Sequence, residues 1–218
     1  MIRDYSLTEA LFLLDSAKWT LLLTFLAAFF GAIFGLMVAL ARTSHNRVLE
    51  RAATGYIAAV QGMPVLILLF LSYFGLSRAG LSLPPIFAAS VSLSVYSSAY
   101  LGDIWRGAIQ SVPVQQWEAS ASLALTRAQQ FRHVIIPQAV RISVPPTVGF
   151  LVQLVKNTSI VSIVSVVELT RAGQLINNAT FQPFPVFITV AAIYFAICFP
   201  LSWASRFLEK KFNAYGRG

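Results

Sequence analysis

Two clusters of polar side chains interrupt an otherwise apolar sequence. The first is Gln116-Trp117-Glu118-Ala119-Ser120-Ala121-Ser122-Leu123-Ala124-Leu125, in which one carboxylate stands among small side chains. Small residues on a short exposed helix let another surface approach closely, and Glu118, flanked by Arg127 and Arg132, can orient that approach by charge. The same pattern suits a helix pair lying flat on a membrane surface, and the residue types weigh equally for both. Pro113 opens this helix. Phe131, Val134 and Ile135 set an apolar stripe on a second helix, which Pro137 is expected to limit.

The second cluster is Lys156-Asn157-Thr158-Ser159, which follows 14 uncharged residues. A lysine at the centre of a membrane helix costs about 2.5–3.5 kcal/mol on insertion scales, so it should face protein or water. A helix broken at 156–159, with amide and hydroxyl groups lining or gating a path, is the preferred reading; a Lys156 that snorkels to the outer interface is the other. Asp103 and Arg106 have the spacing of a local salt bridge, with pairing of Asp103 to a distant segment as the alternative. Gln61, Gly62 and Pro64 should kink their helix and admit a close neighbour, and they are candidates for substrate contact. Glu168 and Arg171 read as a solvated ion pair on an outer segment.

These residues could recognise and pass a solute, but they could not make or break a bond. There is no Gly-x4-Gly-Lys-Ser/Thr phosphate loop, no nucleophile beside a base and no paired carboxylates. His45 and His133 are the only histidines, and Cys198 is the only cysteine. Neither a metal centre nor an intrachain disulfide is expected. The net charge of +8 is better explained by cationic residues gathered at the cytoplasmic face of a membrane protein than by nucleic-acid binding.

The elements that must position these groups are membrane helices. Only 11% of the 218 residues are charged and 57% are hydrophobic, whereas soluble domains carry about 25% charged residues. Uncharged runs at 19–41, 54–77 and 80–102 are each long enough to cross about 30 Å of hydrocarbon. Expected spans are 19–41, 54–77, 82–105, 142–164 and 184–207, with a cytoplasmic loop over 106–140. The whole is one all-α membrane bundle of about five helices, with no repeat and no second domain. The first run is too long, and its leader too acidic, for a cleaved signal peptide. With the N-terminus outside and the C-terminus cytoplasmic, eleven basic residues fall on the cytoplasmic side (Arg42, Arg47, Arg51, Arg106, Arg127, Arg132, Arg141, Arg206, Lys210, Lys211, Arg217). Arg3, Lys18, Arg78 and Arg171 fall outside, which is the bias that sets orientation.

Glu118-Ala119-Ser120, then Ala124, then Val134-Ile135-Ile136-Pro137 resembles the cytoplasmic signature of bacterial ABC importer permeases: Glu-Ala-Ala, three residues, Gly, nine residues, Ile-x-Leu-Pro. Ala124 replaces the glycine, and a gentler bend is expected there, because Ala resists the left-handed turn that Gly allows. Gln61-Gly62-Met63-Pro64-Val65 is similar to the family's Arg-Gly-Thr-Pro-Leu element. Residues 99–109, Gln116–Ala119, Pro137-Gln138-Ala139 and Leu154–Ser159 resemble the polar amino acid branch, with Asp103 where Glu is usual and Gln115 where Gly is. The likeness covers roughly residues 20–212.

The resemblance implies a type I importer transmembrane domain. It implies a bacterial inner-membrane location and import of polar amino acids. It also implies partners: a cytoplasmic ABC ATPase that binds ATP and Mg, a second permease copy or paralogue, an extracytoplasmic solute-binding protein, and membrane lipid around the permease itself. Glu118, Ala119, Ser120, Ala124 and Pro137 would couple to the ATPase. Gln61, Gly62, Pro64, Asp103, Lys156, Asn157, Thr158 and Ser159 are candidates for the path. The rival functions are a secondary transporter or channel using Lys156 and Asp103, or an ABC permease for another small solute.

Overall fold

Helix boundaries follow from local chemistry. Ser6 and Glu9 form a capping box that opens α1 (Leu7–Arg42). Asn46 accepts from the Val48 and Leu49 amides to open α2 (Arg47–Gln61). Prolines stand at the starts of α3 (Val65–Arg78), α4 (Pro85–Gln110), α5 (Val114–Ser122) and α8 (Pro183–Ala214), where their missing N–H is no loss. Thr126 and Gln129 form a second capping box at the head of α6 (Arg127–Val164). Glu168 caps α7 (Leu169–Thr180). A computed structural model describes residues 4–44 and 46–214, and among these there is no strand. Arg3, His45 and Arg217 lie outside the described residues.

Three helices, α1, α6 and α8, are each long and apolar enough to cross a membrane. α2 and α3 pass the same test together but meet at 102°, so the expected 54–77 span is a bent pair, not a kinked rod. The bend falls at Gly62-Met63-Pro64. Pro64 is extended (ψ 138°) and opens α3, and a Cβ on Gly62 would sit 2.8 Å from the Ala58 carbonyl oxygen. α4 has 26 residues, about 39 Å of helix. Ser90, Ser92, Ser94, Ser97 and Ser98 dilute its hydropathy.

α4 is the centre of the bundle, with α1, α2, α3 and α6 packed around it. α1 lies along it through Ala27, Gly31, Gly35 and Ala39, four small residues at i+4 spacing. A Cβ on Gly31 would come 2.3 Å from the Ser97 Cβ, and one on Gly102 would meet the Val38 side chain at 2.8 Å. Helices in lipid gain little by hiding apolar surface from one another, so this close backbone approach supplies the attraction. On the far side α8 packs against α6, where the Ser205 hydroxyl donates to the Pro145 carbonyl at 2.9 Å. α7 closes one end over a small core of Leu13, Leu169, Ala172, Ile176, Val186 and Val190.

α6 departs from expectation. Pro137 does not limit a helix; it lies inside one that runs on from Arg127 to Val164. The residues just before it, Gln130–Ile135, form a π turn. The widened turn relaxes the clash between a proline ring and the carbonyl four residues earlier. Gln138 Nε2 also donates to the Val134 carbonyl at 2.8 Å. The helix likewise absorbs Pro145 and Pro146.

Candidate functional site

The α4–α6 connection folds as its own module. Ala108 and Ile109 from the end of α4, with Val112 just past it, pack with Ile135 and Ala139 of α6, and Trp117, Phe131 and Val134 complete the cluster. The apolar stripe read from the sequence is what seats α5 against α6. Glu118 and Ala119 face outward, whereas Ser120 is buried and donates to the Trp117 carbonyl at 2.9 Å. Ser120 therefore belongs to the module's interior. Val114 and Leu123 stand 58% and 75% exposed at the two ends of α5. These apolar studs escaped the sequence reading, although Leu123 lies in its small-residue segment and Val114 just ahead of it.

The gentle bend expected at Ala124 is absent. Ala124 adopts φ 57°, the left-handed conformation glycine would supply. The Ala124 amide donates to Ala121 O at 2.9 Å and the Leu125 amide to Ser120 O at 3.3 Å, the two bonds of a Schellman cap. The Thr126 capping box and Gln130, whose side-chain amide donates to the Leu125 carbonyl at 2.8 Å, fix the turn from the other side. Left-handed Ala costs about 1–2 kcal/mol. Ala124→Gly should therefore stabilise the chain by about 0.5–1 kcal/mol after glycine's added unfolded-state entropy. Thermal unfolding in detergent checks this, and a lower melting temperature would contradict it.

Within the bundle, α-helical bonding ends at Asn157 and tightens to a 3₁₀ turn over Thr158–Val164. The helix narrows here without a gap. Thr158 and Ser159 donate to the carbonyls of Val155 and Lys156, each at 2.7 Å, which commits their protons and leaves only oxygen lone pairs free. Asn157 is buried and accepts from Gln153 at 3.2 Å. The Tyr96 hydroxyl faces it, together with Tyr100. Tyr96, Tyr100 and Phe150 stack with ring centroids 4.5–5.9 Å apart. Met63 and Val65, beside the α2–α3 bend, pack on the same cluster. Of the path candidates, Asn157 thus joins the aromatic cluster, and the 61–65 segment reaches the same apolar core through Met63 and Val65. The tyrosines were missed, though their i,i+4 spacing in a serine-rich helix was the available signal.

Two candidates lie elsewhere. Asp103 is held by Arg106 at 2.9–3.0 Å, and Arg106 also donates to Gln110; the local pair is the one formed. Lys156 is exposed on this single chain, beside Cys198 of α8. Its ammonium makes no hydrogen bond or ion pair among the described residues.

Glu168 is not a solvated partner of Arg171. It is fully buried and accepts from the Thr170 and Arg171 amides at 2.9 and 2.8 Å and from Tyr194 at 3.0 Å, with the Thr20 hydroxyl at 3.4 Å. Burial pushes its carboxyl above the ordinary value, against the pull of those donors. Arg171 bonds Gln174 instead. Glu168 therefore clasps α1, α7 and α8 at one end of the bundle.

The family model described as "Binding-protein-dependent transport system inner membrane component" matches residues 11–214. The chain belongs to that family. It is a permease component, and such components are not themselves catalysts. YckA of Bacillus subtilis, named as a probable amino-acid ABC transporter permease, is 36% identical over 204 residues, 94% of this chain and 90% of that protein. The glutamine transport system permease GlnP of Escherichia coli is 33% identical over 201 residues, 91% and 92% of the two chains. A crystal structure of an amino acid ABC transporter with histidines superposes with a TM-score of 0.90 at 34% identity, covering 97% of this permease and 100% of that chain. The inward-facing MetNI methionine transporter, at 24% identity and a TM-score of 0.79, shares the fold.

Proposed function

We propose that this permease is the membrane subunit of an ATP-driven importer for polar amino acids. The observation that carries the proposal is α5: a capped, exposed helix with Glu118 and two apolar studs, set between two bundle helices in a chain whose relatives are amino-acid permeases. α5 docks into a groove of a separate cytoplasmic ATPase, which supplies ATP and Mg. The solute arrives from an extracytoplasmic binding protein. It passes beside Asn157, Tyr96 and Tyr100, where a buried amide and two hydroxyls can exchange hydrogen bonds with an ammonium or carboxylate. With five crossings (α1, the α2–α3 pair, α4, α6 and α8), the N-terminus is outside and α5 is in the cytoplasm of a bacterium; the excess of basic residues on the α5 side supports this orientation. One such bundle is too small to enclose a path, so a second copy or paralogue faces Lys156 across it. Closure of the ATPases would rock the two bundles and alternate access.

The test is to purify the permease from membranes with whatever associates and to rebuild it in vesicles with its binding protein and ATP. Uptake of a polar amino acid that stops without ATP hydrolysis is the expected result. Uptake driven by an ion gradient, with no ATPase present, would overturn the proposal in favour of a secondary transporter.

A further inference from the structure

Two cavities on the α1–α4–α6 side run into one another. The first is a groove of about 660 Å³ walled by Leu36 of α1, Ile109 of α4, and Ile136, Val140 and Val144 of α6. Ile33, Leu36 and Val140 are half-exposed along it. The second, about 600 Å³, lies where α1 and α4 end and α6 begins, and is lined by Arg42, Thr43, Ser44, Arg127 and Glu50. Leu40 and Ile109 line both. An apolar groove thus opens directly into a cleft bearing two guanidinium groups. Arg42 reaches Thr54 through Nη1, but its Nε is shut off from solvent with no hydrogen-bond partner. Other atoms of Arg42 line the cleft itself, so an anion there would lie against its positive charge.

An apolar slot that ends in cationic groups has the form of an amphiphile. We propose that this composite cavity binds a phospholipid with an anionic headgroup, its acyl chain along Leu36 and Val140 and its phosphate against Arg42 and Arg127. Charge complementarity selects the anionic lipid. Arg42 and Arg127 outweigh Glu50 within the cleft, and exposed Arg47 and Arg51 lie on the first turns of α2 beside it. Basic pockets between helices on the cytoplasmic side hold anionic headgroups in this way. Trp117 and Phe131 also line the cleft, so a bound headgroup touches the joint between α5 and α6 and braces it. The inner-leaflet position rests on the orientation proposed above; the binding itself does not.

The full-length permease, purified in mild detergent from membranes containing phosphatidylethanolamine and phosphatidylglycerol, tests this by native mass spectrometry and lipid extraction. Retained phosphatidylglycerol should exceed its share of the bulk lipid. Arg42→Gln should reduce that enrichment about five-fold, as expected when one basic contact to an anionic headgroup is lost. Val140→Trp, which fills the groove, should reduce it without touching the charge. Arg78→Gln, exposed and far from the cleft, should leave it unchanged. Melting temperatures show which variants are folded. No enrichment, or enrichment that survives both Arg42→Gln and Val140→Trp, would overturn the proposal. So would a second copy cross-linked through Leu36→Cys across the same groove. A permease that retains phosphatidylglycerol yet takes up no amino acid would sink the transport proposal alone.

Discussion

Glu118→Lys or Leu123→Asp should lower ATP-driven uptake at least about 30-fold while the permease still inserts and folds. The reason lies in what α5 presents. Leu123 is 75% exposed, and burying such a side chain against a partner contributes about 1.5–3 kcal/mol. Replacing it with a carboxylate removes that gain and adds a desolvation penalty, so a loss of about 2 kcal/mol or more, roughly 30-fold, is the minimum expected. Charge reversal at Glu118 acts through orientation, since like charges brought together at an interface cost several kcal/mol. Neither residue supports the permease itself: Glu118 is exposed, and the module's core is built from Ile135, Ala139 and their neighbours. Uptake in vesicles, read beside co-purification of the ATPase, checks the prediction. Wild-type uptake and wild-type association in either variant would remove α5 from the coupling mechanism.

The second large effect concerns packing. Gly31→Leu should destabilise the bundle by about 3 kcal/mol or more, because even its Cβ would sit 2.3 Å from the Ser97 Cβ and the overpacked helices must part. For a chain of this size that lowers the melting temperature by about 6–12 °C. Gly55→Leu is the control. A Cβ there meets nothing within 4 Å, and replacing a helical glycine should be neutral or favourable. Equal melting temperatures for the two variants would show that the α1–α4 contact is not the main junction of the fold.

Much of the architecture was legible because lipid imposes simple rules. Long uncharged runs marked α1, α2–α3, α4 and α8, and the small-residue segment around Glu118 marked α5. What escaped was geometry that depends on neighbours. Charged residues hid the first turns of α1, yet Glu9 is buried within the capping box. Gly31 and Gly35 fell unremarked inside the 19–41 run, and their four-residue spacing was passed over. Pro137 looked like a terminus because a π turn leaves no plain trace in composition. Ala124 looked unsuited to a left-handed turn because its own side chain alone was weighed; the Schellman bonds before it and the Thr126–Gln129 capping box after it, which hold it there, are local hydrogen bonds. Among the path candidates, Asn157 lies in the aromatic cluster, whereas Thr158 and Ser159 turn their hydroxyls back on their own helix. Glu168 was misjudged because charged residues on short outer segments are usually solvated, and its four donors come from three separate elements.

The continuity of α6 through Pro137 has a mechanical consequence. From Phe131, which touches Trp117 of α5, to Asn157 in the aromatic cluster is about 40 Å of uninterrupted helix. A rod of that length is a lever arm. A tilt of about 5° imposed at its α5 end would swing Asn157 sideways by about 3.5 Å, given 1.5 Å of rise per residue. That is the width of one hydrogen bond, enough to part Asn157 from Tyr96 with a displacement at α5 far smaller than a helical turn.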